Sequence, residues 1–118
     1  MQLHEFFDEV AAAVFPYVDM IAERVTTLGG YATGTVRMVA KGSSLNEFPT
    51  DAVAGHEHLE ALVDRVSAYA KSTRETTEKC SDLGDPTTED MFTEVSRGID
   101  LQLYFLESHL QGGGVDAQ

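Results

Sequence analysis

Apolar residues recur every three or four positions through the first stretch of the chain. This is the period of one helix face, where residues three and four apart lie one above the other. Gly29 and Gly30 follow the run, and glycine there is a helix stop because that position favours a positive φ. The pattern predicts one helix at residues 3–28, with an apolar stripe of Leu3, Phe7, Val10, Val14, Tyr17, Ile21, Val25 and Leu28.

Pro16 lies in the middle of this predicted helix. Proline removes one hydrogen bond and its ring meets the carbonyl four residues back, which costs about 3 kcal/mol where nothing compensates. We therefore predict a bend near Ala12 and Ala13. A tolerated bend is the preferred interpretation, and a bend with a functional role is the alternative.

Two more long helices and a short one are predicted downstream. A glycine-rich loop precedes a short helix at residues 36–41, and a connection rich in turn residues follows it. Thr50 or Asp51 would cap a second long helix at residues 52–82. The apolar stripe of that helix is formed by Leu59, Val63, Val66, Ala70 and Thr73.

The third long helix has a local start signal. Asp85 suits the N-cap, and Pro86 suits the first helical position. Its apolar face is formed by Met91, Val95, Ile99, Leu103, Leu106 and Leu110. We expect an all-α fold, with one helical domain at residues 1–111 and a flexible tail at residues 112–118.

The composition fits a single acidic domain. The 118 residues are 42% hydrophobic, enough to bury a core, and the formal net charge is −12. Eight basic residues against twenty acidic ones leave no electrostatic footprint for DNA, so DNA binding is not expected. The lone Cys80 and the lack of a secretory signal indicate a reduced, cytoplasmic compartment. No run approaches the ~20 apolar residues of a membrane span.

The first predicted helix carries two pairs of candidate metal ligands. His4 and Asp8 are four residues apart, and so are Asp19 and Glu23. All four lie roughly on one side of the helix, but its rise puts His4 about 22 Å from Asp19. Metal bonds to nitrogen and oxygen are only about 2 Å long, so one chain cannot close a site with both pairs. Two such helices packed antiparallel about a two-fold axis would form the site twice.

Each pair also has an ordinary interpretation. His4 with Asp8 is, by itself, more often a surface pair on a helix than a set of metal ligands. Asp19 and Glu23 are like charges one turn apart, which is mildly unfavourable unless something compensates. A shared cation, Arg24 or simple solvation would each compensate.

The residues around these pairs resemble the signatures of the Dps-type miniferritins, a branch of the ferritin-like superfamily. Residues 18–32 (VDMIAERVTTLGGYA) resemble the second signature, and residues 4–8 (HEFFD) resemble the end of the first at the matching spacing. Residues 96–110 (SRGIDLQLYFLESHL) resemble the start and middle of the last helix. The resemblance covers residues 3–111 and is most specific at residues 19–30.

The resemblance implies iron oxidation and storage. Fe(II) would be oxidised, usually by hydrogen peroxide, at sites between subunits. The mineral would be stored in a hollow shell of twelve subunits built from two-fold dimers, which protects the cell from oxidative damage. His4 would be the nitrogen ligand and Asp8 a direct or second-sphere ligand. Asp19 and Glu23 would be the strongest ligands, with Glu23 the bridging candidate.

The implied fold is a ferritin-like helical bundle, here the last three long helices plus a short helix in the long connection. The family has an earlier helix that supplies another histidine and completes a four-helix bundle, and this sequence contains no counterpart of it. A fragment, a start assigned too late and a real truncation are the three explanations. The alternative function is a non-catalytic helical assembly, or a DNA-protecting particle with a degraded metal site.

Two further expectations come from the resemblance. Asp82, Asp85 and Asp90 surround the last interhelical turn, where the family has an acidic pore at a three-fold axis. Helix capping and a solvated turn are the alternative, and for Asp85 capping is preferred. Tyr104 stands where the family often has tryptophan, and we expect it to pack in the core.

Overall fold

The computed structural model describes residues 2–112, and all regular structure in that range is helical. The prediction of a flexible tail concerns residues that, apart from Gly112, lie outside the described range. The prediction of an all-α fold is confirmed. The helices are α1 (Leu3–Val14), α2 (Pro16–Thr27), α3 (Val36–Gly42), α4 (Gly55–Asp82) and α5 (Pro86–Gln111).

The predicted first helix is interrupted at Phe15 and becomes α1 and α2. Phe15 keeps helical dihedral angles, and its N–H donates to the carbonyl of Ala11 at 2.9 Å. Pro16 has no N–H for the carbonyl of Ala12, so the regular ladder stops there. The interruption therefore lies just before the proline, a few residues after the predicted bend. At the other end, Gly29 takes a φ of +88° and ends α2, as expected.

The α4–α5 pair forms the antiparallel frame of the molecule. Leu59 near the start of α4 packs with Leu106 near the end of α5, and Ala70 packs with Val95 and Ile99. The turn between them uses Gly84 at a φ of +72°. The predicted start of α5 is confirmed, because the Asp85 carboxylate accepts the N–H of Thr88 at 3.1 Å and Pro86 occupies the first turn.

The predicted start of α4 was wrong. The helix begins at Gly55 rather than at residue 52, and neither Thr50 nor Asp51 caps it, because Ala54 is the N-cap residue. The Glu57 carboxylate, in the first turn of α4, instead accepts the N–H of Val53 at 3.2 Å. This bond satisfies a backbone donor in the connection before the helix, and no side chain caps α4 itself.

The packing face of α1 is wider than the predicted stripe, whose Val10 is buried and whose Leu3 and Val14 pack against the core. Phe6, which was not on that stripe, is 4% exposed, and its ring stacks on His109 of α5 at 3.9 Å. Phe7 is only partly buried, and Leu28 is 59% exposed. Contact with α5 therefore turns α1 so that Phe6 and Val10 face the core.

An apolar groove of about 410 Å³ remains between α1 and α4. Its lining comes from Phe7, Val10, Ala11, Val14, Phe48, His58, Leu62 and Val66. Within residues 2–112, no helix is both long and apolar enough to cross a membrane.

Candidate metal centre

His4 and Asp8 lie on the solvent side of α1. Both side chains belong to exposed residues. Phe6 is two positions from each, about 160–200° around the helix, and faces the core. The burial of Phe6 therefore directs the imidazole and the carboxylate outward.

Asp19 and Glu23 lie one turn apart on α2, and both are exposed. They line a shallow depression of about 520 Å³ together with Ala22, Thr26 and Thr27. The hydroxyls of both threonines donate to backbone carbonyls four residues back, so neither hydroxyl donates to the carboxylate of Asp19 or Glu23. Both carboxylates therefore keep open positions for a cation or for water.

One chain does not bring the two pairs together. Among residues 2–112, no group of three or more histidine, cysteine, aspartate or glutamate side chains is arranged to hold a metal ion. Imidazole and carboxylate are nevertheless the donor types that suit Fe(II). A complete site would need donors from a second chain, and that arrangement stays a prediction.

Arg24 does not compensate Asp19 and Glu23, although the sequence left that alternative open. Its guanidinium turns to α5, where Nε donates to Thr88 Oγ1 at 2.9 Å and Nη2 reaches Asp85 Oδ1 at 3.4 Å. Sequence reasoning missed this contact, since its partners lie sixty-one and sixty-four positions away. The signal available was the capping role of Asp85, but nothing in the sequence points from that cap to α2.

The N-cap carboxylate of α5 is held in its ionised form. The hydrogen bond from the Thr88 hydroxyl, followed by that from the Thr88 N–H, lowers the pKa of Asp85 from its ordinary value. Arg24 lowers the pKa further, and these effects together outweigh desolvation. Capping is thus established for Asp85, while a pore lined by Asp82, Asp85 and Asp90 stays a prediction.

Tyr104 does not pack in the core of the chain. Its side chain is 64% exposed, and it forms an apolar surface on α5 with Leu101 and Phe105. The expectation of core packing was therefore wrong for the chain by itself. The helical period places Tyr104 about 160° from Leu106, which is fully buried.

Comparison with known sequences points to one family. Residues 1–113 match the family described as Ferritin-like domain. The DNA protection during starvation protein of Agrobacterium fabrum is 40% identical over 109 residues, which are 92% of this chain and 67% of that protein. DNA protection during starvation protein 1 of Deinococcus radiodurans is 29% identical over 115 residues, which are 97% of this chain and 55% of that protein. The chain thus spans about half to two thirds of the length of these relatives.

Comparison with solved structures agrees. A variant of Dps1 from Mycobacterium smegmatis matches with a TM-score of 0.83 and 28% sequence identity, over 91% of this chain and 71% of that chain. The long α4–α5 pair, the kinked α1–α2 rod and the short α3 in the long connection therefore form a ferritin-like bundle. The chain belongs to the ferritin-like family and is a homologue of the Dps proteins.

Proposed function

We propose that this protein oxidises Fe(II), with hydrogen peroxide as the oxidant, and stores the product inside a homo-oligomer. The observation that carries the proposal is the exposed Asp19–Glu23 pair, one turn apart on α2 within a Dps homologue. Iron is the substrate in this proposal. The cellular role would be protection from oxidative damage.

The proposed site lies between two chains related by a two-fold axis. His4 and Asp8 of one chain would face Asp19 and Glu23 of the other, and an isologous dimer would form two such sites. Exposure of all four residues supports this arrangement, because none is committed to the core of its own chain. Two-fold dimers would then build a dodecameric shell.

The donor set suits both oxidation states of iron. Imidazole and carboxylate bind Fe(II), and carboxylates also hold the harder Fe(III) product. Two Fe(II) ions each give one electron to hydrogen peroxide, whose O–O bond breaks. With two protons from solvent, two water molecules form and two Fe(III) ions remain. Neighbouring Asp19 and Glu23 supply the negative charge that offsets the charge gained by the metal.

A double substitution tests this proposal. Asp19→Asn with Glu23→Gln keeps size and polarity, but removes both charges. In the wild type, anaerobic Fe(II) followed by peroxide should give a rapid, saturable rise in near-ultraviolet absorbance, and the variant should lose it. Glu5→Gln with Glu9→Gln is the matched control, since it removes an equally spaced, exposed acidic pair from α1. That control should behave as the wild type does.

Thermal melting gives a second readout. The Asp19→Asn, Glu23→Gln variant should melt at or above the metal-free wild type, because like charges no longer repel. Zn(II) at a hundredfold excess over its Kd should stabilise the wild type by about 2.7 kcal/mol, and should leave the variant unchanged. Equal stabilisation of both by Zn(II) would exclude Asp19 and Glu23 as the site, and would favour a non-catalytic or DNA-protecting assembly.

A further inference from the structure

The helix that carries Asp19 and Glu23 is held to the rest of the chain by few deep contacts. None of the residues of α2, all of which are described, is buried. Its hydrogen-bond ladder is also interrupted at Pro16, which separates it from α1. The direction in which the two carboxylates point must therefore be fixed by particular side chains of α2, and not by burial of a whole helix face.

Arg24 makes a two-point contact with the start of α5. Its Nε donates to Thr88 Oγ1 at 2.9 Å, and its Nη2 reaches Asp85 Oδ1 at 3.4 Å. The guanidinium is a planar fork with fixed donors, so two contacts set its orientation as well as its distance.

The partners of Arg24 form a rigid acceptor. Thr88 is 8% exposed, and its hydroxyl donates to Asp85 Oδ2. Asp85 also accepts the N–H of Thr88 as the N-cap of α5. Both acceptors thus belong to the first turn of a helix whose position is fixed by its buried side chains, among them Val95 and Ile99.

We propose that Arg24 is a positioning residue that fixes the rotation of α2 on the bundle, so that Asp19 and Glu23 face a partner chain as a preformed half of the metal site. This inference rests on the proposed function. Glu23 precedes Arg24 by one residue and Asp19 precedes it by five, so on the helix both carboxylates lie about 100–140° from the guanidinium. Holding Arg24 against α5 therefore turns both carboxylates away from α5 and into solvent.

A matched pair of substitutions tests the role of Arg24. Arg24→Gln removes the α2–α5 contact. Arg74→Gln removes a more exposed arginine–aspartate contact of similar length, between Arg74 Nη1 and Asp100 Oδ1 at 3.3 Å, which joins α4 to α5 and does not involve α2. Both variants lose one positive charge, so the overall attraction for cations changes equally.

Two measurements are made on the assembled protein. Hydrogen exchange without metal should accelerate about tenfold in α2 for Arg24→Gln, and not for Arg74→Gln. Calorimetric titration with Zn(II) should show about tenfold weaker binding in Arg24→Gln than in Arg74→Gln. Arg24→Lys should recover little of either effect, because a lysine keeps the charge and loses the fork.

Each other outcome overturns a defined part of the inference. Equal exchange in the two variants would show that Arg24 does not anchor α2. Faster exchange in Arg24→Gln with unchanged Zn(II) binding would show an anchor with no effect on the site. If Asp19→Asn with Glu23→Gln binds Zn(II) as the wild type does, the proposed function fails and the positioning role falls with it. Should Arg24→Gln not fold, Thr88→Val removes the Nε acceptor while keeping Arg24, and the same outcomes apply to it.

Discussion

At the scale of single residues, Asp85 joins three functions in one carboxylate. It caps α5 by accepting the N–H of Thr88, it accepts the hydroxyl of Thr88, and it pairs with Arg24 of α2. All three contacts favour the ionised form. The start of α5 and the attachment of α2 therefore depend on the charge of the same side chain.

This charge predicts a pH dependence of stability. The pKa of Asp85 is lowered below its ordinary value of 3.8, so its stabilising contribution is present above that value and is lost as pH falls through the lowered pKa. The difference in melting temperature between wild type and Asp85→Asn should stay constant from neutral pH to about pH 4 and shrink below it. Ser81→Ala, which changes an exposed, uncharged side chain just before the same turn, is the control, and its difference from wild type should not depend on pH. If the difference in melting temperature between wild type and Asp85→Asn widens on acidification, the lowered pKa of Asp85 is contradicted.

The candidate site shows what a sequence can and cannot reveal at this scale. The four-residue spacing of Asp19 and Glu23, and their common helix, follow from local pattern and could be predicted. The partner of Arg24 could not, because it depends on how α2 packs across α5. The same limit applies to Tyr104, whose exposure is decided by which face of α5 meets α4.

At the scale of helices, the contact between α2 and α5 depends on a missing side chain. Gly98 lies inside α5, and the hydroxyl of Tyr17 sits above it. A Cβ built on Gly98 would lie 1.7 Å from Tyr17 Oη and 2.8 Å from Tyr17 Cζ. The glycine that weakens α5 locally therefore makes room for a ring from α2.

Gly98→Ala should destabilise the protein, even though alanine is the better helix former by about 1 kcal/mol. The added methyl group must displace the ring of Tyr17 from its position above α5. Gly42→Ala is the control, since Gly42 is also helical and a Cβ there would meet nothing within 4 Å. Urea denaturation of both variants gives the free energy of unfolding, which Gly42→Ala should leave unchanged or raise. If Gly98→Ala is neutral as well, the ring of Tyr17 moves away freely and does not hold α2.

Some features of the helices are set by neighbouring residues and could be predicted, whereas others depend on distant contacts and could not. Asp85 and Pro86 supply the start of α5 from consecutive residues, and the sequence predicted it. The end of α2 at Gly29 was predictable for the same reason. The start of α4 was misplaced because the residues expected to cap it lie before the helix, whose N-cap residue is Ala54 and which has no side-chain cap. The packing face of α1 was predicted in part, since Val10 is buried and Leu3, Phe7 and Val14 pack against the core, but the burial of Phe6 against His109 of α5 was missed.

At the scale of the whole molecule, the distribution of charge argues against DNA binding. The formal net charge is −12. Arg24, Arg65, Lys71 and Arg74 each lie within ion-pair distance of an aspartate or glutamate. Basic side chains with acidic neighbours release few counterions from a phosphate backbone, and that release drives DNA affinity.

We therefore predict no retardation of duplex DNA in a native gel at physiological salt without divalent metal. Some relatives are named for DNA protection, but those names describe the relatives and not this chain. The gel therefore tests directly whether this chain binds DNA. Retardation that weakens steeply as salt rises would reveal a basic patch created by assembly. A protein-free lane and a lane with EDTA separate that result from bridging by residual divalent cations.

The arrangement of the proposed iron site predicts the outcome of mixing two inactive chains. One chain carries His4→Ala with Asp8→Ala, and the other carries Asp19→Ala with Glu23→Ala. Each alone should lack peroxide-dependent Fe(II) oxidation. In a mixed two-fold dimer, one site receives all four altered positions and the other receives none. Random refolding of equal amounts makes half of the dimers mixed, so about a quarter of all sites should recover.

This experiment distinguishes a site between chains from a site within one. A site closed by residues of a single chain would stay inactive in every mixed dimer, since each chain lacks half of the ligands. Two different affinity tags, purified in succession, isolate the mixed assemblies and show that they form, and mixtures of one variant with itself give the background. His4 lies about 22 Å from Asp19 along its own helix rod, so the two pairs cannot form one site within a chain. If tagged mixed assemblies form but recover no activity, the two-fold arrangement is contradicted, however well the variants fold.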